Sequence, residues 1–415
     1  MKKVFLFTIT ASLICCNHAC RKDDTPIDIF PFEPINLTVK QAEKVNADNF
    51  FSFKMFKEVS ALNGVNTFFS PLSLNMALGM LYNGASSETR TEMAEALGMS
   101  DFSDNEINEY YRKMSQALLK IDPLTNISIA NSIWYRNGFP VKQPFIDINQ
   151  KNFDAVVKSL DFSKSDAADI INNWCAEKTK DRIKEIIESP IPGDVMMYLI
   201  NALYFKSTWL YEFDKAKTKQ EDFTKAGNQK IKVNMMEQAA PLPYYADQHL
   251  QCVEMPYGNQ AFSMVVLLPA YNMDIDQLVE YLDNAAWKNI IGNLRERDVW
   301  VKLPRFKIEC DIPLNDPVKN VGMQRIFYEH LADFKNISDV RTFVSNIKQK
   351  TFVEVNEEGA EAAAVTVIEI MATSFDPNAP IPPVPFFANR PFLYLIKEKS
   401  TGAILFIGRM DEPKE

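Results

Sequence analysis

Three histidines in 415 residues leave little scope for acid–base or metal chemistry, so the search for reactive groups is short. His249 sits in a polar turn. His330 lies in Phe327-Tyr-Glu-His-Leu-Ala332, which reads as helix. Neither neighbours a nucleophile elbow or a partner at metal-ligand spacing. Cys175, Cys252 and Cys310 are an odd count without metal spacing, and read as small buried apolar residues. These types exclude a hydrolase and a metal enzyme, and imply neither cofactor nor metal. What stands out is a stretch on which chemistry would be done: Asn356-Glu-Glu-Gly-Ala-Glu-Ala-Ala-Ala-Val-Thr-Val-Ile-Glu-Ile-Met-Ala-Thr373. Its Ala/Glu half favours helix and its β-branched half, from Val365 to Ile370, favours strand. Alternate residues Ala360, Ala362, Ala364, Thr366, Ile368, Ile370 and Ala372 are uncharged; the other set carries Glu361 and Glu369. As a strand it would have one apolar and one charged face, which fits an ordinary edge strand and equally a loop able to become one. The prolines that follow, Pro377, Pro380, Pro382, Pro383 and Pro385, cannot donate to a ladder and favour extended, solvated backbone. The segment reads as bait held out from a globular body.

The elements that must hold it are legible in outline. Helical spacing covers residues 38–63, Leu72–Tyr82 behind Pro71, Ser87–Leu97, and about 104–121 and 166–188. Alternating or apolar runs predict strands at 127–135, 197–205, 252–256, 262–268, 299–304, 306–310, 392–396 and 404–407, the last two forming a hairpin around Ser400-Thr-Gly402. Helices gather early and strands late, without βαβ alternation, repeats or an internal linker. The fold class is α+β with large mixed or antiparallel sheets.

The N-terminus is a separate matter. Lys2 and Lys3 precede an apolar run from Val4 to Ile14, the pattern of a secretory signal peptide. Cys15, Cys16 and Cys20 close it, and a Pro-punctuated tether follows. This resembles a bacterial lipoprotein signal, which implies lipidation at Cys20, behind the small Ala19, with Cys16 as competitor. That places the protein on the cell envelope, as an outer-membrane or surface lipoprotein. Loss of Lys2 and Lys3 takes the formal charge from −9 to −11, which argues against nucleic acid as a partner.

Several motifs together resemble one family, the serpins. They are Thr67-Phe-Phe-Ser-Pro-Leu-Ser-Leu74, Asn201-Ala-Leu-Tyr-Phe-Lys-Ser-Thr-Trp209 with Phe213, Val253-Glu-Met-Pro-Tyr257, Leu303-Pro-Arg-Phe306, Ala332-Asp-Phe334 and Asn389-Arg-Pro-Phe392. They fall in the family's order from about residue 45 to 411, after a signal (1–19) and a tether (20–44). The resemblance implies eight or nine helices on three sheets, with an exposed reactive loop over about 357–388. It also implies a monomer that is no enzyme but an irreversible inhibitor. A target serine protease attacks the loop, and the cut loop enters the main sheet as a strand before the acyl-enzyme hydrolyses. The hinge is then Glu357, Glu358, Gly359, Ala360, Glu361, Ala362, Ala363 and Ala364, whose small side chains suit insertion. By position, Ser70, Ser73 and Asn201 match the cluster where the sheet parts, and Gln349 stands where a His is common. Arg305 and Glu357 match a charge pair beside Trp209.

The alternative is a non-inhibitory member that binds or chaperones. Such members usually carry bulky, charged or Pro residues in the hinge, unlike Ala360-Glu-Ala-Ala-Ala364. Counting forward from Glu357 by the family's spacing puts the scissile bond at Thr373-Ser374; counting back from Pro391 puts it near Pro380. The forward count is preferred, because insertion depends on the length between hinge and cut. Val367, Ile368, Ile370, Met371 and Ala372 are secondary bait positions. A small β-branched Thr373 suits elastase-like and subtilisin-like pockets, not one built around a carboxylate.

Overall fold

The computed structural model describes residues 32–63, 66–359 and 382–415. Reciprocal bonds at the start, Thr38 N to Gln41 Oε1 (3.0 Å) and Gln41 N to Thr38 Oγ1 (3.2 Å), open α1 (Val39–Asn63) inside the range read as tether. Ahead of it Phe32, Ile35 and Leu37 already pack on the core, and Ile35 N donates to Ser400 Oγ at 3.0 Å. Strand β1 (Thr67–Phe69) leads into α2 (Pro71–Tyr82), where Ser70 caps the helix through Ser73 N at 3.2 Å. All of α2 but Ala77 is buried, the placement its apolar circumference demands. Helices α3 (Ser87–Ala96), α4 (Asp104–Leu118) and α5 (Gln143–Phe153) surround it, with β2 (Asn126–Arg136) and β3 (Val156–Leu160) between and after.

Helix α6 spans Ala167–Lys178, not 166–188. Lys180 and Asp181 both have positive φ, and Thr179 Oγ1 donates to Cys175 O (2.9 Å) while accepting from Ile183 N (3.0 Å). The Ile183, Ile186 and Ile187 that mimic helical spacing instead pack with Ile171, Trp134 and Ile200 in a second small core. Asn172 Oδ1 pins that turn by accepting from Ile186 N and Ile187 N.

The remaining elements are β4 (Met197–Lys206), β5 (Lys219–Thr224), β6 (Lys230–Ala246), β7 (Leu250–Pro256), β8 (Phe262–Pro269), α7 (Ile275–Tyr281), α8 (Asn284–Gly292), β9 (Arg295–Pro304), β10 (Phe306–Pro313), α9 (Asn315–Asn320), β11 (Lys348–Val355), β12 (Val384–Phe387), β13 (Phe392–Glu398) and β14 (Ile404–Met410). His330 falls in a turn after a short 3-10 segment, not in a helix. His249 lies in the β6–β7 turn, its ring stacked on Tyr281 at 4.5 Å. Cys175 and Cys252 are buried, whereas Cys310 is half-buried.

Pairing among the described residues makes three sheets. One runs β1-β14-β13-β8-β7-β6-β9-β12 with β5 on β6; the others are β3-β2-β4 and β10-β11. Strand β8 is buried at every position and β13 and β14 likewise, which is why they read as largely apolar runs, the buried Lys397 and Arg409 being paired with Glu254 and Asp411. Strand β12 runs parallel to β9, with Pro385 opposite Trp300, so the end of the proline-rich leg is an edge strand. Proline is tolerated there because an edge residue need not donate to a second neighbour.

Candidate functional site: the gap between two sheets

The site begins with what two strands lack. Among the described residues β4 pairs only with β2, and β11 only with β10. Two cavities lie along the gap between them. The larger, about 700 Å³, is bordered by Met196–Ala202 on one side and Ile347–Lys350 on the other, with Leu74, Leu78 and Leu81 of α2 among its lining. The smaller, about 270 Å³, touches Tyr204–Ser207, Phe352–Glu354 and Gly359. Early residues of both strands border the first cavity and late residues the second, so β4 and β11 run parallel along a slot. Each offers the other a free edge too distant to pair.

A polar chain crosses the slot's floor at α2. On the β11 side, the Gln349 side chain accepts from Ser70 N (2.7 Å) and donates to Ser70 O (2.9 Å), satisfying both ends of its amide on one backbone residue. Ser70 Oγ donates to Leu405 O at 2.8 Å. On the β4 side, Ser73 Oγ donates to Asn201 O (3.4 Å), and Asn201 Nδ2 donates to Asn131 Oδ1 (2.6 Å). Asn201 Oδ1 is buried without a partner among the described residues. Such an orphaned acceptor is a place where a donor would be gained if the strands rearranged.

At the far end of β11 the chain is latched. Trp209 N donates to Glu358 O (3.1 Å), Phe213 N to Glu357 O (3.0 Å) and Trp209 Nε1 to Asn356 O (2.9 Å). The indole is itself fixed, stacked on Tyr257 at 4.2 Å and 12°. The Glu357 carboxylate is almost wholly buried and accepts from Arg305 and from Thr218 Oγ1 (2.6 Å). Burial alone would raise its pKa, but the bonds from Arg305 and Thr218 outweigh it and hold the group below the ordinary carboxylate value. Lys215 pairs with Glu358 outside. Gly359 has φ of +87°, and a Cβ there would sit 2.5 Å from Trp209 N and 2.7 Å from Ser207 O. Only glycine fits this position against the β4 end.

Glu357, Glu358, Gly359, Ser70, Ser73, Asn201, Trp209, Arg305 and Gln349 thus all lie on the slot or its rim. Ala360, Glu361, Ala362, Ala363, Ala364, Val367, Ile368, Ile370, Met371, Ala372, Thr373, Ser374 and Cys20 lie outside the described residues. Sequence reading missed Thr218 and Lys215, which no spacing marks. It also missed the segment after α6, where Arg182 lies 4.8 Å over the Phe352 ring and within 4.0 Å of Glu354.

Residues 46–413 match the family described as serpin, serine protease inhibitor. The chain is a serpin. Iripin-2 of Ixodes ricinus is 32% identical over 379 residues, 90% of this chain and 94% of that protein. The native state of the thermophilic serpin tengpin superposes with a TM-score of 0.80 at 31% identity, covering 92% of this serpin and 96% of that chain. Human thyroxine-binding globulin, solved with its hormone, has the same fold, with a TM-score of 0.81 at 25% identity over 91% of this chain and all of that one. The family is thus one of protease inhibitors, not enzymes, that also includes a thyroxine-binding globulin.

The latch carries a pH dependence whose sign is fixed. A carboxylate with depressed folded-state pKa adds stability above its unfolded value and loses it as pH falls through the folded one. The serpin's thermal midpoint should therefore fall on acidification below about pH 4.3, the unfolded glutamate value. Glu357→Gln, which keeps a hydrogen-bond acceptor but no charge, should flatten that limb and cost about 1–3 kcal/mol at neutral pH. An unchanged acid limb in the variant would remove Glu357 from the latch.

Proposed function

We propose that this serpin is an irreversible suicide-substrate inhibitor of serine proteases, trapping the acyl-enzyme by drawing its cleaved loop into the slot between β4 and β11. The observation that carries this reading is the slot itself, with two parallel edges that form no ladder across the gap among the described residues and the hinge anchored at its rim. A strand leaving Gly359 and turning back between them runs antiparallel to both and finds a ladder on each side. Glu357 to Thr373 is 16 steps, roughly 50 Å at about 3.3 Å per residue, longer than ten-residue β4 at roughly 33 Å. The bait bond therefore travels the whole length of the slot, and a protease attached to it is carried from one end to the other. The alternation from Ala360 supports the same reading, since Ala362, Ala364 and Thr366 would share the inward face without adding charge.

We further propose that the bond attacked is Thr373-Ser374, and that elastase-like and subtilisin-like enzymes are the favoured targets. Thr373 offers a small apolar group, and the nearest basic residues, Lys350 and Arg390, lie outside the useful window. The protein would act as a monomer tethered to the bacterial envelope through a lipid on Cys20.

Incubation with a protease panel tests the core of this. Subtilisin and elastase should form SDS-stable complexes releasing a C-terminal peptide that begins at Ser374, while trypsin should not. Ala364→Arg should turn the inhibitor into a substrate, because insertion would bury an unpaired charge at several kcal/mol. Release of a peptide starting beyond Pro377, or an unchanged stoichiometry in Ala364→Arg, would contradict the reading.

The anchor is tested separately. Cys20→Ala should move the protein from membrane to soluble fractions; retention in the membrane would point to Cys16.

A further inference from the structure

One large aromatic side chain stands exposed beside the place where the reactive loop returns to the sheet. Trp300, on β9, is 38% exposed, while Val299 and Val301 on either side are fully buried. Alternation along the strand therefore places Asp298, Trp300 and Lys302 on the outer face of the sheet. A lone exposed tryptophan would mean little, since scattered surface hydrophobes are ordinary. This one has a setting. Its cross-strand partners are Ala239 on β6 and Pro385 on β12, neither large enough to cover an indole. Phe387, two residues along β12, meets it edge-on at 4.9 Å and 86°. Lys302 lies 5.7 Å from the indole centre and 5.6 Å from the Phe387 ring. Its ammonium is held by Glu221 (2.5 Å) and Glu237 (3.6 Å), so its charge is spent within the sheet.

We propose that Trp300, Phe387 and Pro385 form an apolar secondary contact for the protease attacking the loop. The inference rests on the inhibitory reading above and deepens it, by naming a second surface that selects the same partner. Two features argue for a protease over another occupant. The first is continuity: the described chain resumes at Pro382, and Val384 begins the pairing of β12 with β9. The C-terminal leg of the bait thus ends on the patch, and an enzyme holding residues before that leg is brought to it. The second is length. From Ser374 to Val384 is ten steps, up to roughly 33 Å when extended, so the leg bounds the distance between the cut and β9 but not the enzyme's rotation about it. A second contact restricts the approach, and aromatic anchors make large contributions at such interfaces for little side-chain entropy.

The chemistry of the partner surface follows from the neighbours. By the same alternation Glu296 and Asp298 share the Trp300 face, while Arg295 and Arg297 point to the other. Glu221 and Glu237 outnumber Lys302 between them, so the surround of the patch is acidic and steers encounters with a basic partner surface. The patch selects an enzyme with an apolar surface flanked by basic side chains beside the C-terminal side of its cleft, and the indole's own contribution should be insensitive to salt.

The test uses the full-length mature chain and two probes: subtilisin, and subtilisin with its catalytic serine changed to alanine, which binds without cleaving. In Trp300→Ala the second-order association constant should fall about 5- to 10-fold, equally at low and high salt. Affinity for the inactive enzyme should fall by the same factor. Stoichiometry of inhibition, the position of the cut and the thermal midpoint should not move, and Trp300→Phe should recover most of the loss. Phe387→Ala gives an independent reading of the same surface. Association and affinity within twofold of the parent in both alanine variants would overturn the proposal. Should the parent trap no protease, the inhibitory reading fails instead, and the inactive enzyme still decides this one: weaker binding to Trp300→Ala upholds the contact, and equal binding removes it.

Discussion

Unpaired strand edges are the constraint on which this molecule turns. A sheet edge presents a row of backbone donors and acceptors that ordinary proteins cover, shorten or charge. Here β4 and β11 face each other as parallel edges across cavities of about 700 and 270 Å³, and neither pairs across the gap. Each net backbone hydrogen bond is worth about 1 kcal/mol, so a ten-residue strand filling both edges would gain on the order of 10 kcal/mol. That compares with the whole stability of an ordinary domain. On the proposed reading the slot is a store of free energy that strand entry would release.

What holds it open is local and inexpensive. Helix α2 lies beneath the gap, buried almost throughout, and ties one wall through Gln349 and Ser70 and the other through Ser73 and Asn201. Gln349 does this with an amide satisfied as both donor and acceptor by Ser70, which needs no titratable group. At the rim, Trp209, Arg305 and Thr218 hold the backbone and carboxylate of the hinge. The second core under α6 belongs to the β2–β3–β4 wall, and Arg182 reaches from it across to Phe352 and Glu354. Beneath the gap one hydrophobic core takes in Leu203 of β4 together with Val353 and Val355 of β11, so the two walls share an apolar floor as well as these polar and cation–π contacts.

Much of this was legible in the sequence, for identifiable reasons. Buried elements announce themselves: α2 is apolar all round, and β8, β13 and β14 are largely apolar runs. The structure brings Ser70, Asn201, Trp209 and Arg305, which the motifs single out, around one region. Gly359 lies beside them, and its φ and the nearness of Trp209 admit no side chain. The failures are as instructive. Residues 179–188 carry helical spacing of isoleucines, yet Lys180 and Asp181 turn the chain and those isoleucines face a sheet. Helices α5, α7 and α8 went unread because they are short and mostly polar outside, and tertiary packing, not periodicity, forms them. The gap itself was invisible, because an absence of pairing between distant strands leaves no local pattern. Trp300 was read only as part of a strand; its exposure depends on the small residues of two other strands.

The central claim is that the slot stores free energy released by strand entry. Thermal unfolding of the intact chain and of the chain cut at Thr373-Ser374, with no protease attached, tests it most directly. If the cut loop fills the slot, the order of 10 kcal/mol regained should raise the midpoint by roughly 10–15 °C for a domain of this size. A cut chain that melts with the intact one, or below it, would contradict the account.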